Sequence, residues 1–115
     1  MIGINVRAPF AHMIISGRKI LETRSTNSLR PYVGHRVGIV QTGSGRAKLV
    51  GYATIGTPTL MGETAFREAE SLHIVSVGSE FDIAPNGSKY CYPIYNAEGC
   101  TPKTLTTRGI IARQI

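Results

Sequence analysis

Every second position is apolar at the start of the chain, so Met1–Val6 is predicted to be a β-strand. The spacing of the apolar residues changes after this strand. Apolar residues recur at helical intervals over Pro9–Ser16, which predicts a short helix, and Gly17 suits the left-handed conformation that ends one. Alternation returns at Ile20–Arg24, which predicts a second strand. The chain therefore begins with a strand–helix–strand unit.

The remaining pattern is also rich in strands. Alternating residues predict two central strands at Arg36–Thr42 and Ala47–Ile55, joined by a glycine-rich turn. Helical spacing predicts a second helix at Thr64–His73. The weaker predictions are a polar connection and two loops, followed by two closing strands; their bounds are Ser25–Gly34, Gly56–Gly62, Ser76–Lys89, Tyr90–Tyr95 and Gly109–Ile115.

This order of elements predicts an α+β fold, a small mixed β-barrel of five to six strands with two short helices. A length of 115 residues suits a single domain, residues 1–115. The abundance of Val, Ile and Leu excludes a disordered chain. No apolar run approaches the ~18 residues of a membrane-spanning helix, so no membrane association is expected. Because no signal peptide is visible, the expected location is cytoplasmic.

The charge is distributed unevenly along the chain. The net charge is +6, but residues 1–50 contain eight basic residues and one acidic residue, a net charge of +7. Six of those eight bases are Arg, whose planar fork of donors suits phosphate and carboxylate groups. This asymmetry indicates an anionic partner, and nucleic acid is the commonest one. The alternative is a charge that serves solubility alone.

The single acid of the first fifty residues, Glu22, lies within a dense basic group. Glu22 and Arg24 are two positions apart on a predicted strand and point to the same side, about 7 Å apart. Arg7 and Lys19 belong to the same strand–helix–strand unit. A lone carboxylate among cations should stay ionised. The group therefore predicts either an ion pair at a sheet edge or a basic cleft with a carboxylate inside it.

Other motifs carry less weight. Gly43–Arg46 lacks the spacing of a phosphate-binding loop and is interpreted as a hairpin turn. Cys91 and Cys100 fit no metal-ligand spacing, so no metal and no other cofactor are expected. The histidines share no ligand spacing and are expected at exposed polar positions; they are His12, His35 and His73.

Residues 2–42 resemble the ASCH domain, a branch of the PUA-like β-barrel superfamily. Members typically begin with a strand, an aromatic residue after a Pro, a short apolar helix, and then Gly-x-Lys-x-x-Glu-x-Arg-Ser; a Tyr-x-Gly-x-x-x-Ile run usually follows. The matching residues of this chain are Arg7, Pro9, Phe10, Gly17, Lys19, Glu22, Arg24, Ser25, Tyr32, Gly34, Arg36, Gly38 and Ile39. Several such residues in order over about forty positions make the match specific.

The resemblance implies a small barrel with a cleft between its sheet and the first helix. The cleft would be lined by Lys19, Glu22 and Arg24, with Arg7 at its mouth. The ligand-binding residues expected on this basis are Arg7, Phe10, Lys19, Glu22, Arg24, Ser25 and Gln41.

Family members have RNA-linked roles, and some small bacterial members remove the acetyl group from N4-acetylcytidine. In those members a Lys is proposed to activate a Thr nucleophile, with a more distant Glu assisting. Lys19 occupies the Lys position here, but Glu22 stands at the Thr position, and a carboxylate is a poor acyl nucleophile at neutral pH. The distant Glu would be Glu68 or Glu70.

Three functions follow from these residues. The favoured hypothesis is a binding module for RNA or a nucleotide, with the cations on phosphate or base edges, Glu22 accepting from a base amino group, and Phe10 or Tyr92 stacking on a base. The second is a small hydrolase acting on a modified nucleoside or on RNA, with Lys19 and Glu22 as the catalytic acid/base pair. The third is an internal ion-pair network in a protein that binds another protein.

Overall fold

The computed structural model describes residues 1–115, which form seven strands, three short α-helices and one 3₁₀ turn. The strands are β1 (Ile2–Arg7), β2 (Leu21–Arg24), β3 (Arg36–Thr42), β4 (Lys48–Ile55), β5 (Thr59–Gly62), β6 (Ser88–Thr104) and β7 (Ala112–Gln114). The helices are α1 (Phe10–Ile15), α2 (Glu63–Glu68) and α3 (Glu70–His73), and the 3₁₀ turn is Arg30–Tyr32. None of the helices is long and apolar enough to cross a membrane.

The strands form one curled mixed sheet. Its order is β2-β6-β4-β3-β1-β7, and β5 pairs with β6 outside this path. β1 and β3 are parallel, because α1 and β2 carry the chain across between them, and the other pairs are antiparallel. This half-barrel confirms the predicted α+β class, with one strand and one helix more than expected.

The long strand β6 joins the two parts of the sheet. Its first residues pair with β2 on one side and with β5 on the other, whereas its later residues pair with β4. The register between β4 and β6 shifts twice, at Leu49/Gly51 and at Tyr52/Thr54. Such irregularities bend a strand and increase its twist, so they curl the sheet around the main core.

Three apolar clusters stabilise the fold. The largest has twelve buried residues between the curled sheet and α1, which contributes Ala11 and Ile14. A second cluster lies beneath α2 and α3 and includes Phe66 and Cys91. A smaller third one contains Val40, Leu49 and Leu105. α1 and the α2–α3 segment thus pack against different parts of the sheet.

The first half of the chain matches the predicted elements closely. β1, β2, β3 and β4 lie within two residues of their predicted bounds. α1 begins at Phe10 rather than Pro9, which occupies the N-cap position. Gly17 has φ of 82°, the left-handed conformation predicted for it.

Three predictions in the second half differ from the structure in type or extent. The segment predicted as a loop at Gly56–Gly62 contains β5, and the strand predicted at Tyr90–Tyr95 extends as β6 to Thr104. The helix predicted at Thr64–His73 is two helices that meet at Ala69, whose N–H donates to both the Ala65 and the Phe66 carbonyl oxygens. Pairing with distant strands and packing of short helices override local propensity at these places.

Candidate functional site

A cavity of about 230 Å³ opens where β1 and β2 meet the segment that follows α3. Its lining carries three cationic side chains and one carboxylate, together with apolar and aromatic groups. The lining residues are Asn5, Val6, Arg7, Phe10, Lys19, Glu22, Thr23, Arg24, Thr42, Val75, Phe81 and Ile110. At this volume the cavity is smaller than the ~300–1,000 Å³ sites of drug-sized ligands, so it suits a compact group such as a nucleobase.

Three charged side chains form a linked group at the base of this cavity. Glu22 Oε2 accepts a hydrogen bond of 2.9 Å from Arg24 NH2, and Glu22 Oε1 lies 3.7 Å from Lys19 Nζ. Both cations contact one carboxylate, because Glu22 and Arg24 lie on the same face of β2 and Lys19 lies two residues before that strand begins. The group therefore has an excess of positive charge.

Lys19 is almost completely enclosed, with a relative exposure of 1%. Its Nζ donates to the main-chain oxygen of His73 and lies 4.8 Å from the centroid of the Phe10 ring. Burial lowers the pKa of Lys19, and the neighbouring Glu22 carboxylate opposes that change. A lysine in this setting can give up its proton more readily than one in water.

Arg24 of the cavity is hydrogen-bonded to β1, and some of the N–H groups of its guanidinium have no partner in the protein. Its NH2 group also donates to the main-chain oxygen of Asn5 at 2.7 Å. Its Nε is buried without a partner, and its NH1 makes no hydrogen bond within the protein. A guanidinium held in place by two of its bonds retains donors for a ligand.

Two phenylalanines form an aromatic wall. The rings of Phe10 and Phe81 meet edge to face, with centroids 5.5 Å apart and an interplanar angle of 82°. Arg7 lies above Phe81, with its guanidinium carbon 5.8 Å from the ring centroid, and its side chain is exposed at the mouth. Phe10 follows the first strand, whereas Phe81 comes from the irregular segment before β6, so the wall is assembled from distant parts of the chain.

His73 is fully buried beside the cavity, so the prediction of exposed histidines was wrong at this position. Its ring stacks on Phe66 at a centroid distance of 4.0 Å. Nδ1 accepts from the Val75 N–H at 2.9 Å, and Nε2 lies 2.6 Å from the Phe66 carbonyl oxygen. This pairing requires a neutral ring protonated on Nε2. Burial accordingly lowers the pKa of His73.

The rim of the cavity includes residues that the sequence did not single out. Asn5 donates through Nδ2 to the carbonyl oxygens of Gly109 and Ile110, and its Oδ1 accepts from Arg113 Nε. These bonds hold Ile110 at the rim, where 93% of it is exposed. An exposed isoleucine beside a turn carries no local signal for a site; only its place beside β1 reveals it.

The expected site residues fall into two groups. Arg7, Phe10, Lys19, Glu22 and Arg24 all line the one cavity. The others lie elsewhere: Ser25 Oγ accepts from Lys89 Nζ outside the cavity, Gln41 has a buried Oε1 without a partner, and Glu68 and Glu70 are exposed away from the lining.

Tyr92 cannot stack on a base, contrary to expectation. It is fully buried in the main core, where its hydroxyl donates to Asn27 Oδ1 at 2.6 Å. The same hydroxyl oxygen accepts from the Leu29 N–H at 3.3 Å. Its role is to hold the segment after β2 against the sheet.

The curled mixed sheet with short helices on it defines a small α+β domain. Among solved structures the chain is similar to ASCH from Zymomonas mobilis, with a TM-score of 0.69 and 19% identity over 90% of this chain and 73% of that one. Two mutant proteins of the same ASCH give TM-scores of 0.72 and 0.70 at 18% identity, covering 90% of this chain and 72% and 75% of theirs. The chain therefore has the ASCH-type fold that residues 2–42 predicted.

Comparisons of sequence alone give no such match. No protein-family model and no curated protein matches the chain. The likeness to known proteins thus lies in the fold.

Proposed function

We propose that this ASCH-type domain binds RNA or a nucleotide, with one nucleobase inside the basic cavity. The observation that carries the proposal is the joint lining of one small cavity by Lys19, Glu22 and Arg24 beside the wall of Phe10 and Phe81. An internal ion-pair network alone would need no cavity, so this arrangement favours a ligand-binding role over a structural one.

The donors and acceptors inside the cavity suit a base that carries an amino group. Glu22 accepts one bond from Arg24 and one from the Thr23 N–H and retains lone pairs for an amino N–H, while Arg24 NH1 offers N–H groups to a ring nitrogen or carbonyl. Phe10 and Phe81 supply an apolar surface for the ring. Cytosine, adenine and guanine fit this pattern better than uracil, which has no amino group.

The mouth of the cavity suits the phosphate of the same nucleotide. Arg7 is exposed there and has no carboxylate partner. A guanidinium at this position would form a bidentate contact with phosphate oxygens. Base contacts inside and a phosphate contact outside would fix the orientation of the ligand.

The test is a binding titration of cytidine 5′-monophosphate and a labelled short oligoribonucleotide at several salt concentrations. We expect Arg7→Gln to weaken binding about tenfold, the size of one charged hydrogen bond, and to flatten the salt dependence. Lys103→Gln is the matched control, since Lys103 is an exposed cation beside Met1 and Ile115 in a separate groove. An absence of binding at low salt, or equal losses in both variants, would refute the proposal.

A second candidate function, a small hydrolase, is favoured by the state of Lys19. Burial lowers the pKa of Lys19, which suits a general base, and Glu22 lies 3.7 Å from its Nζ as a second group that can exchange a proton with it. On N4-acetylcytidine, Lys19 would take a proton from water, and the resulting hydroxide would attack the acetyl carbonyl. Arg24 would stabilise the oxyanion, the C–N bond would break, and Lys19 would return the proton to the cytidine nitrogen, releasing acetate.

The hydrolase has its own test. Turnover of N4-acetylcytidine, or cleavage of RNA, should be lost in Lys19→Ala while the circular dichroism spectrum stays unchanged. Equal turnover by the wild type and this variant would exclude the role of Lys19. Binding without turnover would leave the binding function as the conclusion.

A cytoplasmic setting fits either role. Cys91 and Cys100 are both free thiols, as expected in a reducing compartment.

A further inference from the structure

We infer that a second nucleotide subsite lies beside the basic cavity, so that the ligand is a single-stranded RNA segment rather than an isolated nucleotide. This inference rests on the proposed function. The subsite is a groove of about 380 Å³ between the 3₁₀ turn, β5 and the start of β6. We call it the Tyr90 groove, and the residues that matter to it are Asn27, Arg30, Leu60 and Tyr90.

A row of side chains leads from the cavity into the Tyr90 groove. Arg24 of β2 stands opposite Tyr90 of β6, and Tyr90 stands opposite Leu60 of β5. Residues directly opposite in antiparallel strands place their side chains on the same face, with Cβ atoms about 5 Å apart. Since Arg24 lines the cavity and Tyr90 and Leu60 line the groove, the row spans about 10 Å from one site into the other.

The Tyr90 groove offers a stacking surface. Tyr90 is half-buried against the main core, which holds its ring in place, and its hydroxyl makes no hydrogen bond within the protein. Leu60 extends the apolar surface and is 57% exposed. A fixed aromatic ring beside an exposed aliphatic side chain is a platform on which any base can stack.

Polar groups at the edge of the Tyr90 groove suit a sugar and a phosphate. The Arg30 guanidinium is exposed and has no ion-pair or hydrogen-bond partner in the protein. The Asn27 side chain is oriented by the bond from the Tyr92 hydroxyl to its Oδ1, which leaves its amide N–H groups free. An unpaired cation, free amide donors and an aromatic platform are the elements with which proteins bind single-stranded nucleic acid.

These features favour nucleic acid over a protein partner. The Tyr90 groove and the cavity are linked by the cross-strand pair of Tyr90 and Arg24, and the cavity carries two further cations at its base and a third at its mouth. An extended RNA strand would place one base in the cavity and the next on Tyr90, with the connecting phosphate near Arg30. Exposed Leu60 and unpaired Arg30 both line this groove, as a bound base and its phosphate would require.

The test compares cytidine 5′-monophosphate with the trinucleotide of cytidine. We expect the wild type to bind the trinucleotide about tenfold more tightly, the size of one base–aromatic stacking interaction. Tyr90→Leu should reduce the ratio of the trinucleotide affinity to the mononucleotide affinity towards one. Arg30→Gln is the second variant, because its exposed side chain can be replaced without disturbing the fold; it should also lower the salt slope of trinucleotide binding by about 0.7.

The outcomes separate the two proposals. A ratio of one in the wild type, or a ratio that both variants leave unchanged, overturns the second subsite while mononucleotide binding upholds the first. An equal fall of the ratio in Lys103→Gln would mean non-specific charge attraction and would overturn it as well. If neither ligand binds the wild type, both proposals fail, and the Tyr90 groove would then be open to a protein partner.

Discussion

The molecule has two groups of charged side chains, one buried at the cavity and one near the surface. They contain similar residues but opposite ratios of cations to acids. The cavity group joins Lys19 and Arg24 to the single carboxylate of Glu22, and all three are buried or half-buried. The surface group joins Arg67 to Asp82, by two hydrogen bonds of 2.9 and 3.1 Å, and to Glu63 at 3.5 Å. The first has two cations for one acid, and the second has two acids for one cation.

The surface group carries its extra negative charge near water, whereas the cavity group carries its extra positive charge in a buried place. Asp82 also accepts from the N–H groups of Gly78 and Ile83, which with Arg67 lower its pKa. It thereby ties the segment before β6 to α2. The cavity group instead keeps an unmatched cation in a buried place, which costs free energy of desolvation. Such an excess of buried donors is expected where a ligand supplies acceptors, such as a ring nitrogen or carbonyl oxygen of a base.

The largest effect should come from Glu22→Gln. This change leaves the buried Lys19 and Arg24 without a counter-charge, so the free energy of unfolding should fall by about 3–5 kcal/mol. Urea denaturation followed by circular dichroism measures it. A loss below about 1 kcal/mol, typical of an exposed pair, would mean that water or neutralisation of Lys19 already compensates the cavity charges.

Lys19→Met should separate stability from binding. It removes a cation that is costly to bury and leaves Glu22 paired with Arg24, so the free energy of unfolding should change by less than about 2 kcal/mol. Affinity for cytidine 5′-monophosphate should nevertheless fall about tenfold. A loss of stability as large as that of Glu22→Gln would instead assign Lys19 a structural role, through its bond to the His73 carbonyl.

The two regions should also respond to acid at different pH values. His73 has a lowered pKa, so the unfolded chain binds its proton first; the stability that His73 contributes is complete above about pH 6.5 and declines below it. Asp82 has a lowered pKa as an acid, so its contribution is complete above about pH 4 and is lost only below that value.

Unfolding measured from pH 8 to pH 3 should therefore show an upper step that disappears in His73→Gln. The lower step should persist in that variant and disappear in Asp82→Asn. A single step common to both variants would contradict the assignment.

The smallest effect is expected for Arg67→Gln. Its partners are close to the surface, where water and salt screen the charges, so the urea midpoint should move far less than in Glu22→Gln. Added salt should remove most of the difference between Arg67→Gln and the wild type. A shift that survives high salt would show that the loop before β6 depends on this ion pair.

The local spacing of apolar and polar residues predicted the strands and the helix that supply most of the residues lining the cavity. Gly17 ends α1 because glycine readily adopts the positive φ found there, and the strand period places Glu22 and Arg24 on one side of β2. Charge counting drew attention to the same unit, since Glu22 is the single acid among the first fifty residues.

Local pattern could not predict the partners that arrive from far along the chain. β5 has four residues and ends in Gly62, so it is defined by pairing with β6 rather than by propensity. The later part of β6 contains Asn96 and Gly99, which are poor strand formers. Gly99 nevertheless pairs with Gly51 of β4, and Asn96 lies between two residues that pair with β4. Phe81 and Ile110 reach the cavity only because the sheet curls.

The sequence by itself thus determined the charged face of β2 and the helix before it, because the spacing of residues on a single strand and a single helix sets which side chains point the same way. The ASCH-type fold was predicted by the resemblance of residues 2–42 to that family. Tertiary structure alone decided that Lys19 is enclosed, that Tyr92 belongs to the core, and that Tyr90 lies in a row between Arg24 and Leu60. Burial and cross-strand neighbours depend on contacts between residues far apart in the chain, and no local period encodes them.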